Sequence, residues 1–352
     1  MTECNDRGLR SGYTTGACAA AAAYAAINLL QNNHFLSSVS IDLPDGKKFS
    51  IPIEYARIEN EMAEAAVRKY SGDDPDVTNG AIVKVTISHC NNGDINFFAG
   101  EGVGTITKHG LSLPPGEPAI NPVPRQMIRS VIREFCNTPV NVTISIPDGR
   151  ILAERTFNSR LGVVGGLSIL GTTGIVRPFS RKAVQETIRY AMSIAKAAGI
   201  SEIFLVPGNI GRKAICAIFS PVSDSVIEVS NEWGFSIDTA TAFGFEKICI
   251  GGHPGKLTKI AMNIWDTHSS KSVSAFMFVK KLCEQFIDPC INVNTTTVEG
   301  LFQLLSKKDQ RYIAATIASL IKCKVSERMK LSSEKIAVIL TDMNGCEYGR
   351  SN

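Results

Sequence analysis

The sequence has no long apolar run, no CxxC pair and no lopsided charge, and each absence removes a class of function. Its most apolar stretch, Thr15 to Leu30, is dominated by alanine and interrupted by Gly16, Tyr24 and Asn28. Alanine is too weakly hydrophobic for such a stretch to read as a membrane span. The opening residues lack the apolar segment of a signal peptide, so a cytoplasmic protein with no membrane partner is predicted. The ten cysteines, at 4, 18, 90, 136, 216, 249, 283, 290, 323 and 346, are dispersed. None lies near a histidine at zinc-ligand spacing, so no metal site is predicted and the thiols read as reduced core residues. Lys+Arg 37 against Asp+Glu 33 leaves a net charge of +4. That is too mild for a nucleic-acid surface, yet compatible with a local basic pocket for a small anion. Self-association is left open.

What is present is ample core material, 44% apolar in 352 residues, enough for two domains. The N-terminal part reads as an α+β domain with strands in hairpins. An alanine helix is followed by Val39–Leu43, the turn Pro44-Asp45-Gly46 and a return strand, Phe49–Ile53. Val142–Ile146 followed by Pro147-Asp148-Gly149 predicts a second hairpin, returning along Ile151–Phe157. Asn121-Pro122 opens a helix on which Arg125, Arg129 and Arg133 share one stripe. From about residue 160 short apolar strands alternate with helices and Gly-rich turns. This predicts a Rossmann-like α/β domain with a mostly parallel sheet, whose ligands bind at the strands' carboxyl ends. The expected domains are 1–160 and 161–352.

Several loops carry the residue types of a ligand site. Gly171-Thr-Thr-Gly174, with Gly165 and Gly166 upstream, offers hydroxyls and bare backbone N–H groups at what reads as the first strand end of the second domain. Pro207-Gly208-Asn209-Ile210-Gly211 follows the next strand. Gly251-Gly-His-Pro-Gly-Lys256 approximates a P-loop, but it is one residue short between its glycines and has Leu257 where Ser or Thr is needed. A nucleotide-binding enzyme built on that loop is one alternative. Gly100-Glu-Gly-Val-Gly104 lacks a following helix and reads as a structural loop. Asp73, Asp74 and Asp76 form a turn or a source of a general base or metal ligands.

Together these motifs resemble the CbiD family of cobalt-precorrin-5B C(1)-methyltransferases of anaerobic cobalamin biosynthesis. The matching segments are Leu9-Arg-Ser-Gly-Tyr-Thr-Thr-Gly16, Asp73-Asp-Pro-Asp-Val-Thr-Asn-Gly80, Gly100–Gly104, Glu117–Arg125 and Thr156–Val176. Pro207–Gly211, Gly252–Lys256 and Thr267-His-Ser269 complete the set, in the family's order. Departures are Gly16-Ala-Cys18, where the family has Gly-Thr-Cys, and Ser270-Lys-Ser-Val-Ser after His268. The resemblance implies S-adenosyl-L-methionine as methyl donor and a cobalt tetrapyrrole, cobalt-precorrin-5B, as acceptor. The acceptor is methylated at ring carbon C-1 to give cobalt-precorrin-6A. Arg10, Arg125 and Arg160 are then expected on the acceptor's carboxylates, with Thr14, Thr15, Asn121 and Asn158 beside them. The donor is expected on Gly165, Gly166, Gly171, Thr172, Thr173, Gly174, Gly208 and Asn209, with Glu232 at its ribose. His253 is the expected base and Asp76 the second candidate. The acceptor is expected in the cleft between the domains. A carrier that binds a tetrapyrrole without methylating it is the other alternative.

Overall fold

A computed structural model describes residues 8–289 and 294–351. Cys4 and Cys290 lie outside them. The chain is mixed α/β, as its sequence predicts, and divides into two compact units, Met1–Ser180 and Arg181–Asn352.

The first unit runs β1 (Gly12–Tyr13), α1 (Thr15–Asn32), β2 (Ser38–Asp42), β3 (Lys48–Pro52), β4 (Tyr55–Glu59), β5 (Met62–Arg68), β6 (Ile82–His89) and β7 (Ile95–Ala99). It continues with β8 (Thr105–Ile106), α2 (Pro122–Arg133), β9 (Val140–Ser145), α3 (Gly149–Ala153), β10 (Val163–Val164) and β11 (Ile175–Val176). Its main sheet has the order β4-β5-β6-β9-β7, antiparallel except for β7 beside β9. Along β6 and β9 every second residue is buried, the period of a strand with one face on a core. That face packs on α1, which is buried over almost its whole length. Alanine makes this possible, because a one-carbon side chain lets the helix backbone approach the sheet and α2 together. The first Pro-Asp-Gly turn does join a hairpin, β2 with β3.

The second expected hairpin does not form. β9 already has β6 on one edge and β7 on the other, so no edge is left for a return strand. The chain turns instead into α3, and Ile151–Phe157 is not a strand.

Residues 161–180 belong to the first unit rather than opening the second. β10 pairs with β8 and β11 with β1. Leu167–Leu170, read above as a strand of the parallel sheet, makes only isolated bridges, to Val103 and Ile120.

The second unit runs α4 (Arg181–Ala197), β12 (Glu202–Val206), α5 (Asn209–Phe219), β13 (Val226–Glu228), α6 (Trp233–Ala242), β14 (Lys247–Gly252) and α7 (Pro254–Ala261). It ends with α8 (Phe276–Phe286), α9 (Val298–Leu304), α10 (Lys307–Met329), β15 (Ile336–Thr341) and β16 (Glu347–Arg350). The sheet order is β13-β12-β14-β15-β16, parallel except for β16. Both faces are covered. Ile203, Leu205, Ile227, Ile248 and Ile250 pack with α4, α6, α7 and α10, while Phe204, Val206, Val226 and Cys249 pack with α5. This explains the continuous apolar strands. Among the described cysteines Cys18, Cys249 and Cys283 are buried, and Cys323 and Cys346 are exposed rather than in the core. No described helix is long and apolar enough to cross a membrane.

Candidate functional site

In the first unit, Thr14 and Thr15 hold the 168–174 loop against the start of α1. Thr14 Oγ1 caps the helix by accepting from Ala17 N at 3.2 Å, and Thr14 N donates to Gly174 O at 2.9 Å. Leu170 N donates to Thr15 Oγ1 at 2.9 Å, and Gly16 N donates to Leu170 O at 2.9 Å. Gly171 has φ +131°, and a Cβ there would run into the Thr14 side chain. The first-turn N–H groups of Gly16 and Ala17 therefore have protein partners, and both threonine hydroxyls are committed. Thr172 and Thr173 are exposed, and Thr173 Oγ1 donates to Ile175 O at 3.1 Å. The Gly-Thr-Thr-Gly loop thus sits beside α1 in the first unit, not at a parallel-strand end. Asn158 is buried and gives its amide to Gly166 O at 3.3 Å. Gly166 leaves no room for a Cβ against Gly102 O, whereas Gly165 faces open space.

The acidic cluster divides three ways. Asp73 accepts from Arg10 Nη2 at 2.8 Å and Arg10 N at 2.7 Å, and the Arg10 guanidinium holds its carboxyl below the usual range. Asp74 accepts from Phe179 N at 2.9 Å. Asp76 accepts from Lys69 Nζ at 2.6 Å, Thr78 N at 2.8 Å and Thr78 Oγ1 at 2.7 Å. Burial alone would raise the Asp76 pKa, but the Lys69 ammonium and the Thr78 donors outweigh it and hold it low. A low-pKa carboxylate occupied by these donors, and by Ser71 Oγ at 3.3 Å, is a poor proton acceptor. Asp76 is the counter-ion of a buried lysine.

The arginine stripe on α2 also divides. Arg125 is largely buried and donates to Ile120 O at 2.8 Å and to Glu117 Oε2 at 2.8 Å, clamping the loop ahead of its own helix. Asn121 starts that helix without a side-chain cap bond. Arg133 pairs with Asp94. Arg129 lies over the Phe97 ring, 4.8 Å from its centroid. Arg160 stacks on Phe157 at 5.4 Å.

In the second unit, the turns after β12 and β14 pack together. A Cβ on Gly252 would come within 2.9 Å of Pro207 Cδ. The chain leaves β12 first to β13 on one side and later to β14 on the other, so these strand ends mark a topological switch point. Here α5 starts at Asn209 after Gly208, with no side-chain cap, and Gly208 faces open space. The start of α7 is closed. His253 Nδ1 accepts from Gly255 N at 3.0 Å, and the N–H groups of Lys256 and Leu257 both donate to His253 O at 3.1 Å. Those are the donors a phosphate cradle would need, so the P-loop-like segment does not act as one. With Nδ1 accepting, Nε2–H donates to Glu299 Oε2 at 2.7 Å, and Tyr348 OH reaches the same carboxylate at 3.3 Å. Both ring nitrogens of His253, the expected base, are engaged within the unit. Burial would raise the Glu299 pKa, but the bond from His253 helps to hold it low. Glu232 is buried and binds Arg181 at 2.6 Å and Gln185 at 2.7 Å, so the carboxylate expected at a ribose is occupied by its own unit.

A family model for CbiD matches residues 2–178. A cobalt-precorrin-5B C(1)-methyltransferase of Syntrophotalea carbinolica is 48% identical over 322 residues, 92% of this chain and 91% of that one. The chain belongs to the CbiD family. A second relative of the same name, from Methanocaldococcus jannaschii, is 41% identical over 95% of this chain and 94% of its own. The crystal structure of the cobalamin biosynthesis protein cbiD from Archaeoglobus fulgidus is 31% identical, covering 75% of this chain and 83% of that one, with a TM-score of 0.41.

Several partners in this CbiD chain escaped the sequence reading. Lys69 directly follows β5 and is only 3% exposed, and nothing local to it announces its burial. Arg181 and Glu299 lie 51 and 46 residues from the groups they bind, and no local pattern joins them.

Proposed function

We propose that this chain transfers the methyl group of S-adenosyl-L-methionine to ring carbon C-1 of cobalt-precorrin-5B, giving cobalt-precorrin-6A. The observation that carries this reading is its likeness, across nearly its whole length, to relatives that bear that activity as their name. Bound, the donor would supply an electrophilic methyl on a positively charged sulfur. Displacement at that carbon needs the two reactants in line, and alignment alone is worth about 7–11 kcal/mol. The transfer therefore needs no covalent intermediate on the protein.

We assign the donor to the switch point of the second unit, read as a Rossmann-like fold. Gly208 leaves room for close approach, and the N–H groups at the start of α5 can meet the donor's polar end. The frame moves by one strand from the sequence reading. With Leu167–Leu170 in the first unit, β12 becomes the first strand and 207–211 its glycine turn. The acid after the second strand is Glu228, twenty residues beyond Gly208 and in register with Val206. Glu228 thus takes the ribose role expected of Glu232. The first unit contributes to acceptor binding, with Arg129 the α2 arginine best placed for a carboxylate.

Calorimetric titration with S-adenosylhomocysteine, with ATP and magnesium as control, tests the donor assignment. Saturable binding of the first alone is expected, weakened by Glu228→Ala and not by Thr172→Ala. Binding of ATP alone would sink the methyltransferase reading.

A further inference from the structure

Within the first unit, β1, β3, the end of β5 and the loop that follows enclose a pocket of about 600 Å³. That is the size of a small-molecule site, roughly 300–1,000 Å³. Its walls are aromatic. The Tyr13 ring lies 6.1 Å from Phe49 and 6.2 Å from Tyr70, centroid to centroid, both inclined to it. Tyr13 OH donates to Arg68 O at 3.0 Å, which fixes that ring. Burial pushes its hydroxyl pKa up to about 12, so it remains a neutral donor. Gly12 presses on the backbone of Tyr70 and Ser71 so closely that a Cβ would overlap it.

The charges around the pocket are already balanced. Lys69 beneath it binds Asp76 and Ser71, each at 2.6 Å. Arg68 binds Glu54 at 2.6 Å. The pocket therefore presents ring faces without net charge, a poor setting for a phosphate and a good one for a flat conjugated system. Its rim, including Ser50, Asn79 and Gly80, is exposed. A small ligand would be buried over most of its surface, whereas an open rim suits a larger disc that inserts one side and keeps its charged substituents in water.

We propose that this pocket receives one edge of the tetrapyrrole acceptor, held among the rings of Tyr13, Phe49 and Tyr70. The identity of the ligand rests on the methyltransferase reading above; the pocket's preference for a flat, conjugated edge does not.

The test uses the full chain and cobyrinic acid, a stable cobalt corrin with free carboxylates, followed by its visible spectrum. S-Adenosylhomocysteine is titrated in parallel. Removing a ring with Tyr70→Ala, or filling the pocket with Ser50→Trp, is expected to weaken the corrin about tenfold, the usual worth of one stacked ring. The donor analogue should bind unchanged, and Tyr70→Phe should restore the corrin. Ser50→Trp at an unchanged unfolding temperature separates blocking from unfolding. Wild-type corrin affinity in both variants overturns the proposal, as does a loss that falls on S-adenosylhomocysteine instead, or a wild-type chain that binds no corrin. Corrin binding that depends on Tyr70 and Ser50, in a chain with no affinity for S-adenosylhomocysteine, supports the pocket and removes the methyl donor.

Discussion

His253 has one nitrogen on each edge of its ring, and both are spent, one on the α7 cap and one on Glu299. A general base contributes about 10²–10⁴ in rate. If His253 were that base, every substitution would cost such a factor. Asparagine is a good helix cap and can replace the bond to Gly255 N, but it does not span the distance to Glu299. His253→Asn is therefore expected to leave methyl transfer within about threefold of wild type. It should lower stability in urea by about 1.5–3 kcal/mol, the range for a bond to a charged group. A hundredfold loss of turnover in a folded variant would return the base role to His253. The same economy holds at Glu232, Asp76 and Arg125. Each has the chemistry that sequence reading looks for, and each is saturated by its own unit.

At the scale of elements, Gly102, Gly149 and Gly166 bring two loops and the start of α3 to one crossing, where Gly102 O leaves no room for a Cβ on either of the other two. Gly166→Ala must push that carbonyl away and should cost about 1–3 kcal/mol, the usual range for overpacking, measured by urea unfolding. A cost near zero would mean the crossing is loose. This crossing shows why Gly100–Gly104 reads correctly as structural: a glycine run with no helix after it has only packing left to serve. Local signals were legible in the same way. The alanine helix, the first Pro-Asp-Gly hairpin and the apolar strands β12 to β15 all rest on residues near one another in sequence. What could not be read was occupancy. The second Pro-Asp-Gly turn lacks a hairpin because distant strands hold both edges of β9, and Leu167–Leu170 looks like a parallel strand until its partners, Val103 and Ile120, are known. At the candidate site, the glycine turn at 207–211 was visible. The acid expected with it, Glu232, lies just beyond the strand that Glu228 ends, and what could not be read was that Arg181 and Gln185, remote in sequence, occupy it.

At the scale of the whole molecule, each unit has its own core and a half-buried carboxylate held below its ordinary pKa, Asp76 in the first and Glu299 in the second. A carboxyl whose pKa is lower folded than unfolded gives stability that is complete above its unfolded value. That stability fades as pH falls through its folded value, because the unfolded chain then binds the proton first. The unfolded values here are 3.8 for aspartate and 4.5 for glutamate. Stability contributed by both groups should thus be level from neutral pH down to about 5 and decline below it. Hydrogen exchange can follow the two units separately. Asp76→Asn should abolish its share of the acid decline in β5 and β6, while lowering protection there at pH 7, since Lys69 is left buried beside a neutral amide. Glu299→Gln should act likewise on α7 and α9, with a smaller loss at pH 7, because His253 can still donate to an amide oxygen. An acid decline in β5 and β6 unaltered by Asp76→Asn would mean that the Lys69 pair does not govern the first unit's response to acid. The pair would then be a site of local order only, and the first unit's acid sensitivity would have to come from exposed pairs such as Arg68 with Glu54.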